Sequence, residues 1–446
     1  MGLFIQYVIL DMTIEFVDKE ITAWGGLVFL KKMLDRMGFE DQLNKCPLPK
    51  QGSNRGYAPN QLVQQFMASV WCGANRYSHL EVMRFDPTVQ KLFGWGAMAG
   101  HKAFVRYFGK FTEQDNYNVF NKLHSWFFGS MKLDNYTLDI DSSVMTRYGA
   151  QAGAAKGYNT KKPGRKSHHP LLAFVSDLDM VANFWLRSGD AYTANNFKAF
   201  LETTLDNLNN KKVGLLRMDS GFYSRANFEY LESNAQVGAY IIAAPMYVTL
   251  QREIQKQKNW VTLAEGEEIA ETLYQSPNWD RGRRLVMVRQ KVSARPNATG
   301  KSLSLFDGME EVNGYRYACY ITDLSLPAAQ VWRLYRGRAN AENRIKELKY
   351  DYGLDKINQE SFEGTEATLN FLMVAFNIMN LFKNQVIDEK IKNRLSTLRY
   401  KMLAIPSYLE TVNDVIVLKM ALQMQRRAWI EKLWANSTNY NFCSSA

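Results

Sequence analysis

The sequence predicts an α/β protein in which a mixed β-sheet flanked by helices is interrupted by a β-rich insertion and bracketed by helical N- and C-terminal regions. Three observations predict it. Between residues 136 and 243 the pattern reads as three strands, helix, strand, helix, strand, an order that gives a mixed sheet covered by helices. The first 130 or so residues and the last third carry apolar residues at helical spacing. From 247 to about 313 that rhythm stops in a polar, Gln-, Lys- and Arg-rich stretch with strand-like pieces.

The elements follow in order. Leu27, Leu30, Leu34 and Met37 keep helical spacing, as do Leu62, Phe66 and Val70, while Ser78 to Glu81 and Thr112 to Asp115 have the form of capping boxes. Short helices joined by basic turns fit a helix-turn-helix DNA reader or a packing and dimerisation domain, and spacing alone does not choose. Tyr136 to Asp141 alternates like a strand, and Leu171 to Ser176 with Met180 to Arg187 reads as a hairpin turned at Asp177-Leu178-Asp179. A helix from Ala194 to Leu208, a strand Val213 to Met218 ending at Asp219-Ser220-Gly221, a helix Arg225 to Ser233 and a strand Val237 to Ala243 complete the run. Leu285 to Val288 is strand-like within the insertion, and Ser293 to Gly300 is turn-rich. The main sheet resumes at Tyr315 to Ile321 and leads to helices from Ala328 through Tyr352, then to an all-helical C-terminal third. The expected units are residues 1–130, a helical DNA-binding domain; 131–246 and 314–360, the two parts of the core; 247–313, the insertion; and 361–446, a helical C-terminal region.

Composition narrows the function. The 446 residues are 46% hydrophobic, and 55 Lys and Arg against 44 Asp and Glu leave a formal charge of +11. That is a globular chain too long for one small binding module, and its positive excess suits a polyanionic partner. The 10 Trp, 23 Tyr and 25 Phe supply core and also stacking surfaces. Four scattered cysteines, Cys46, Cys72, Cys319 and Cys443, form no C-x-x-C pair, so no disulfide framework or cysteine zinc site is expected and a reducing cytosol fits. Met1 to Leu10 lacks a basic n-region and a cleavage site. Ala367 to Phe382 is apolar but carries Thr368, Asn370, Asn377 and Asn380, so it reads as a buried helix and no membrane partner is expected.

Three carboxylates stand where a metal site can be assembled: Asp141 after the first strand, Asp219 after the fourth and Glu342 on the helix beyond the insertion. Acids at the ends of neighbouring strands meet in space, and a helix can bring a third. Such a cluster repels itself unless cations bind. Mg²⁺ takes oxygen ligands, and two such ions about 4 Å apart clamp the attacking and leaving oxygens of a phosphodiester. Each acid alone also suits a turn or cap.

Around Glu342, the residues Tyr335, Arg338, Glu342 and Lys349 sit at offsets 0, 3, 7 and 14. At about 100° per residue on an unbroken helix, these line one narrow stripe beside the apolar flank of Leu334, Ala341, Ile345, Leu348 and Tyr352. The acid can then hold a metal while Arg338 and Lys349 grip phosphates and Tyr335 adds a hydrogen bond. A solvated helix with Glu342 paired to Arg338 or Lys346 is the other reading.

The pattern Y-x(2)-R-x(3)-E-x(6)-K resembles the signature of bacterial insertion-sequence transposases of the DDE type. With each residue type near one in twenty, chance gives roughly 0.003 such matches in a chain of this length. The wider run resembles the insertion sequence 1380 group: Leu138 to Ser143, Gly157-Tyr158-Asn159 through Lys166, His169-Pro170-Leu171, Arg217 to Phe222, and Tyr335 to Lys349. The resemblance spans about residues 10 to 410.

It implies an RNase H-like core interrupted by the β-rich insertion between the second Asp and the Glu. Asp141 bridges two Mg²⁺, with Mn²⁺ able to substitute, Asp219 shares one and Glu342 the other. Tyr335, Arg338 and Lys349 hold transposon-end phosphates. It further implies a cytoplasmic, nucleoid-associated homodimer that binds its element's terminal inverted repeats, cleaves the ends and joins them to target DNA. Asp139 lies two residues before Asp141 on the same strand face, so either can be the first acid. Asp141 is preferred because the family's Asp precedes a small hydroxyl pair, here Ser142-Ser143.

Lys156 to His169 holds Lys161, Lys162, Arg165 and Lys166 among glycines and a proline, a mobile basic loop able to track a DNA backbone, or simply a solvated one. His168 and His169 can touch phosphate, but no spacing suggests histidine metal ligation. Transposases of this group can stack a flipped base on an aromatic ring; Trp260 and Trp279 are candidates for that role or for core.

Overall fold

The computed structural model describes residues 14–52, 56–159, 162–291, 311, 312 and 314–442. Helices α1 (Leu27–Met37), α2 (Phe39–Lys45), α3 (Pro59–Trp71), α4 (Leu80–Met83), α5 (Pro87–Phe93), α6 (His101–Phe108) and α7 (Glu113–Gly129) come first. Then follow β1 (Tyr136–Ser142), β2 (Met145–Thr146), β3 (Ala155–Lys156), β4 (Lys166–His168), β5 (Leu171–Val175), β6 (Met180–Trp185), α8 (Phe197–Asn207), β7 (Val213–Met218), α9 (Arg225–Ser233) and β8 (Tyr240–Ala244). The chain continues through α10 (Val248–Lys256), β9 (Val261–Ala264), β10 (Glu267–Tyr274), β11 (Arg283–Lys291), β12 (Glu311–Val312), β13 (Tyr315–Thr322), α11 (Ala328–Arg336) and α12 (Ala339–Asp351). It ends with α13 (Phe362–Phe382), α14 (Leu395–Leu398), β14 (Ser407–Val412), β15 (Val415–Met420) and α15 (Met424–Thr438).

One large mixed sheet, in the order β6-β5-β1-β7-β8-β13-β11-β10-β9, organises the molecule. β1 runs antiparallel to β5 and parallel to β7, and β7 runs parallel to β8. β5 is buried along its whole length between β6 and β1, which is why it reads as a continuous apolar run. The parallel pairing of β1 and β7 brings their C-terminal ends to the same edge of the sheet, and that edge carries the acids.

The segment after residue 247 differs from the expected inserted subdomain. It opens with α10, and β9, β10 and β11 then join the main sheet through β13, which pairs antiparallel with β8 on one side and β11 on the other. Leu285, Val286, Met287 and Val288 are all buried, since the two sides of β11 lie in separate apolar clusters. On one side α11 lays Val331 and Trp332 against Val286, Val288, Ile241 and Tyr320. The turn-rich run Ser293 to Gly300 lies outside the described residues.

Helices α3, α6 and α7 pack on α13, whose 21 residues include 18 buried ones. α3 is buried from Leu62 through Trp71, and the Trp71 indole donates to the Ala375 carbonyl at 3.0 Å, so α3 is a core element. Thr112 and Asp115 form a reciprocal capping box, whereas Ser78 falls inside a 3₁₀ turn and Glu81 turns to Arg84 and His101. The polar residues of α13 complete the sheet edge. Asn377 accepts from the Val181 N–H and donates to the Val181 carbonyl, both at 2.7 Å, and Asn380 donates to the Asp179 carbonyl at 2.6 Å. Asn377 thus satisfies part of the outer backbone of edge strand β6, and Asn207 of α8 adds a bond to the Ala182 carbonyl at 3.0 Å. Among the described residues, no helix is long and apolar enough to cross a membrane.

The C-terminal third is not all helical. β14 and β15 form a hairpin closed by Asn413 and Asp414, both at positive φ (50° and 62°), the geometry of a two-residue type I′ turn.

A candidate carboxylate centre at the ends of two parallel strands

In the β1–β7 register Ile140 pairs with Met218, so Asp141 and Asp219 follow as neighbours at the sheet edge. Asp141 is 5% exposed; its Oδ1 accepts the Ser142 N–H at 2.8 Å and its Oδ2 lies 2.9 Å from Arg338 Nη2. Asp219 caps a 3₁₀ turn by accepting the Gly221 N–H on Oδ1 at 2.9 Å, and its Oδ2 is 3.8 Å from the same Nη2. Glu342, half exposed in the first turn of α12, places Oε1 3.6 Å from Arg338 Nη1. The structure thus brings the three acids together around one guanidinium, and the i,i+4 pairing of Glu342 with Arg338 is part of that arrangement.

Burial pushes the Asp141 carboxyl up to about 7, with Asp219 and Glu342 adding to the rise and Arg338 and the Ser142 N–H opposing it. For Arg338, burial works against the charge, but Asp141 foremost, then Tyr335, Asp219 and Glu342, outweigh it and keep the guanidinium protonated.

Asp139 has a different place. It is fully buried and takes two bonds from Arg217, at 2.6 and 2.8 Å, directly across the β1–β7 ladder, with Arg344 at 3.8 Å. Arg217 also donates to the Leu334 carbonyl at 2.5 Å, tying the end of α11 to the strands. Asp139 is committed inside the sheet, and Asp141 is the acid that faces the centre.

The helix carrying the four-residue stripe is not continuous. α11 ends at Arg336 and α12 begins at Ala339, joined at Gly337 and Arg338 by i→i+3 bonds such as Arg338 N–H to the Tyr335 carbonyl at 2.9 Å. The stripe therefore divides. Tyr335 packs at a tilt against Tyr320 with ring centroids 4.4 Å apart, and burial pushes its phenol pKa up. Arg338 and Glu342 face the acids. Lys349 donates to the Val144 carbonyl at 2.9 Å and sits 3.6 Å from Asp355, bracing the chain just beyond Asp141.

The basic segment joins two strands of a short ribbon, β2-β4-β3: Lys156 ends β3, Lys166 opens β4, and Lys162 and Arg165 lie on the connection between them. Its backbone lies close to a neighbouring turn, where a Cβ on Gly157 would stand 1.9 Å from the Gly189 carbonyl oxygen. Lys162 bonds the Tyr148 hydroxyl and, with Arg165, lies over the Tyr148 ring; Lys166 is exposed on β4. Lys161 lies outside the described residues.

His168 and His169 are internal. His168 accepts from Arg147 Nε at 3.0 Å and donates to the Ala152 carbonyl at 2.9 Å, and burial pushes it down to about 4. His169, lowered by burial, bonds the Ala191 carbonyl at 3.0 Å and Ser142 Oγ at 3.2 Å. Ser142, His169 and Thr193, whose Oγ1 is 3.4 Å from Ser142 Oγ, hold the chain beside Asp141, a supporting set that no spacing in the sequence revealed. Trp279 is core, packed on Phe228, Tyr223, Tyr274 and Arg283. Trp260 is half-buried, 4.3 Å from the Arg289 guanidinium.

The donor set fits a hard divalent cation in its chemistry: each aspartate spends Oδ1 on a backbone N–H and turns Oδ2 toward the common centre. Among the described residues no three acidic, histidine or cysteine side chains stand close enough to hold one ion as they are, because Arg338 lies between the carboxylates.

A mixed sheet that delivers Asp, Asp and, from a following helix, Glu to one edge defines a protein of the Asp-Asp-Glu class. The chain belongs to the transposase DDE domain group 1 family, whose profile matches residues 9–439. It is a transposase. Among solved structures, one described as the cryo-EM structure of the piggyBac transposase synaptic complex with hairpin DNA is similar at a TM-score of 0.44 and 12% identity, over 85% of this chain and 79% of that one. No curated protein matches the sequence.

Proposed function

We propose that this transposase binds the terminal inverted repeats of its own insertion sequence, cleaves the ends and joins them to target DNA by metal-assisted phosphoryl transfer. The observation that carries the reading is the convergence of Asp141, Asp219 and Glu342 at one sheet edge around Arg338. The strand order, with β5 and β6 on one side of β1 and β7 and β8 on the other, supports an RNase H-like core made of residues 131–246 and 314–360. In this reading residues 1–130 and 361–446 flank the core, 247–313 extends its sheet, and two protomers act on paired ends.

Asp141, Asp219 and Glu342 would hold Mg²⁺ or Mn²⁺, which when bound activates a water or 3′-hydroxyl nucleophile and offsets charge on the leaving oxygen. The chain's own groups do the positioning. The Ser142 and Gly221 N–H groups fix the aspartate rotamers so that both Oδ2 atoms face inward. Arg338 offsets part of the carboxylate charge and is placed to meet a phosphate, fork to fork. Lys349 anchors the chain after β1, while Tyr335 walls the centre with an aromatic face. In this reading Lys162, Arg165 and Lys166, with Lys161 from the same stretch of sequence, supply cations beside the scissile strand.

The deciding experiment is cleavage of a linear DNA bearing the element's end, in Mg²⁺ or EDTA, by wild type and Asp141→Asn. Metal-dependent nicking at the end junction that the variant lacks is expected. Cutting without regard to the end sequence would indicate a nuclease, and tight end binding with no cleavage would indicate a non-catalytic reader.

A further inference from the structure

We infer that Arg344, latched to Asp179 and Asp139, is the positioning residue that sets the Glu342 carboxylate against the other two acids. The inference rests on the reading of Glu342 as a metal ligand and names the device that delivers it.

Glu342 does not fix itself. Its carboxylate is half exposed and, among the described residues, pairs only with the Arg338 guanidinium at 3.6 Å, so its place is decided by how α12 lies on the sheet. Arg344, two residues on, points about 200° away around the helix, to the flank opposite the acid. There it is buried, at 5% exposure. Its Nε donates to Asp179 Oδ1 at 2.8 Å, its Nη2 bonds the same oxygen and donates to the Ser176 carbonyl at 3.0 Å, and its Nη1 lies 3.8 Å from Asp139 Oδ2. The guanidinium also stands 5.8 Å from the centre of the Phe174 ring. One side chain of α12 thus reaches β1, β5 and the turn between β5 and β6.

Both of its carboxylates are themselves anchored. Asp139 is gripped by Arg217 of β7, which also donates to the Leu334 carbonyl at the end of α11. Asp179 holds the left-handed position of its turn, at φ 59°, and its carbonyl accepts the Asn380 amide of α13 at 2.6 Å. The two arginines therefore clamp the joint at Gly337 and Arg338 from either side, Arg217 on the helix before it and Arg344 on the helix after it. Lys349 on the Val144 carbonyl and Lys383 on Glu347 fasten the C-terminal half of α12, whereas Arg344 fastens the half that bears Glu342. A ligand must be held to about 0.5 Å, and a charged fork with fixed acceptors does this better than apolar contact, which has no direction.

The test is the Mn²⁺ affinity of the full-length protein without DNA, read from the free-ion signal in electron paramagnetic resonance, for wild type, Asp179→Gly, Glu342→Gln and the double variant. Asp179→Gly removes the acceptor, and glycine adopts the positive φ of the turn without strain. Glu342→Gln alone is expected to weaken binding about tenfold, and Asp179→Gly alone by about the same factor, as the loss of an outer support does. In the Asp179→Gly background Glu342→Gln should cost less than about twofold, because the carboxylate has already left its place. A change that merely loosened the fold would leave the cost of Glu342→Gln equal in both backgrounds, so effects that multiply overturn the inference, as does wild-type affinity in Asp179→Gly. Unchanged affinity in Glu342→Gln alone removes Glu342 from the ligand set, and with it the reading on which the inference rests. Asp179→Asn keeps an oxygen for Arg344 but no charge, so its affinity should fall between those of wild type and Asp179→Gly. If Asp179→Gly melts early, the same cycle with Asp179→Asn, again expected to fall short of multiplying, decides the matter.

Discussion

Arg338 Nη2 lies 2.9 Å from Asp141 Oδ2, and the same guanidinium reaches both other acids, so one buried cation serves three carboxylates. The arginine is 7% exposed and its Nε has no hydrogen-bond partner among the described residues. Its place is fixed by charge: the acids hold it there, and it offsets their mutual repulsion.

Arg338→Gln should therefore destabilise the protein by about 3 kcal/mol in EDTA, because it leaves Asp141 buried beside two like charges with no cation. Added Mg²⁺ should raise the melting temperature of the variant more than that of wild type, since the ion then has no guanidinium to displace. Thermal melts of both proteins with and without Mg²⁺ check this. Equal responses to the ion would show that Arg338 is not the counter-charge of the centre.

Glu342→Gln is expected to abolish end cleavage while end binding stays near wild type. The carboxylate is half exposed and makes one long contact, at 3.6 Å, so the fold does not depend on it. Its replacement removes a metal ligand and no phosphate donor. Strand-cleavage and gel-shift assays on the same end fragment separate the two effects, and normal cleavage by the variant would show that Glu342 is not a ligand.

Asp139→Asn and Asp141→Asn, two residues apart on one strand, should behave in opposite ways. Asp139 is paired in two directions with Arg217 inside the sheet, so neutralising it strands a buried guanidinium and should cost about 3 to 5 kcal/mol. Asp141 is already pushed up to about 7 by burial, so an amide is a close match for its neutral form and the fold should be retained. Urea unfolding of the two variants decides; equal losses would mean that Asp141 also carries the fold.

The difference between these neighbours marks how far the sequence could be read. Strand alternation locates Asp141 and Asp219 at strand ends, and their parallel pairing follows from the helix between the strands. Choosing Asp141 over Asp139 by physics alone requires knowing that Arg217 faces Asp139, a cross-strand register that one sequence does not contain. The stripe from Tyr335 to Lys349 assumes an unbroken helix. The break at Gly337 and Arg338 arises from tertiary anchoring, since Arg217 grips the Leu334 carbonyl and a Cβ on Gly337 would stand 2.5 Å from Arg217 Nη1. The union of β9 to β11 with the main sheet is likewise a matter of partner choice, invisible to local pattern. The hairpin at Ser407–Met420 was legible, as Asn413-Asp414 between β-branched runs is a turn signal, but the surrounding helical spacing masked it.

A pH test reaches the helical layer beneath the sheet. Glu366 on α13 is largely enclosed; its Oε1 accepts the Leu186 N–H at 2.9 Å and its Oε2 the Asn116 amide at 3.3 Å. Burial pushes its carboxyl up to about 7 from the ordinary 4.5, with the Leu186 N–H opposing and Glu113 and Glu363 adding to the rise. Between those two values the folded chain holds a proton that the unfolded chain has released, so stability is lost as pH rises through the window. Glu366→Gln has nothing to titrate, and its amide can donate to Asn116 Oδ1, which lacks a partner among the described residues. The stability difference between variant and wild type should shift in the variant's favour between pH 4.5 and about 7.5. The shift should be on the order of 2 kcal/mol, below the full linkage value because part of the group still meets solvent. Denaturant unfolding at half-unit pH steps measures it, and a difference that stays flat across the window would show that Glu366 is ionised in the fold at an ordinary value.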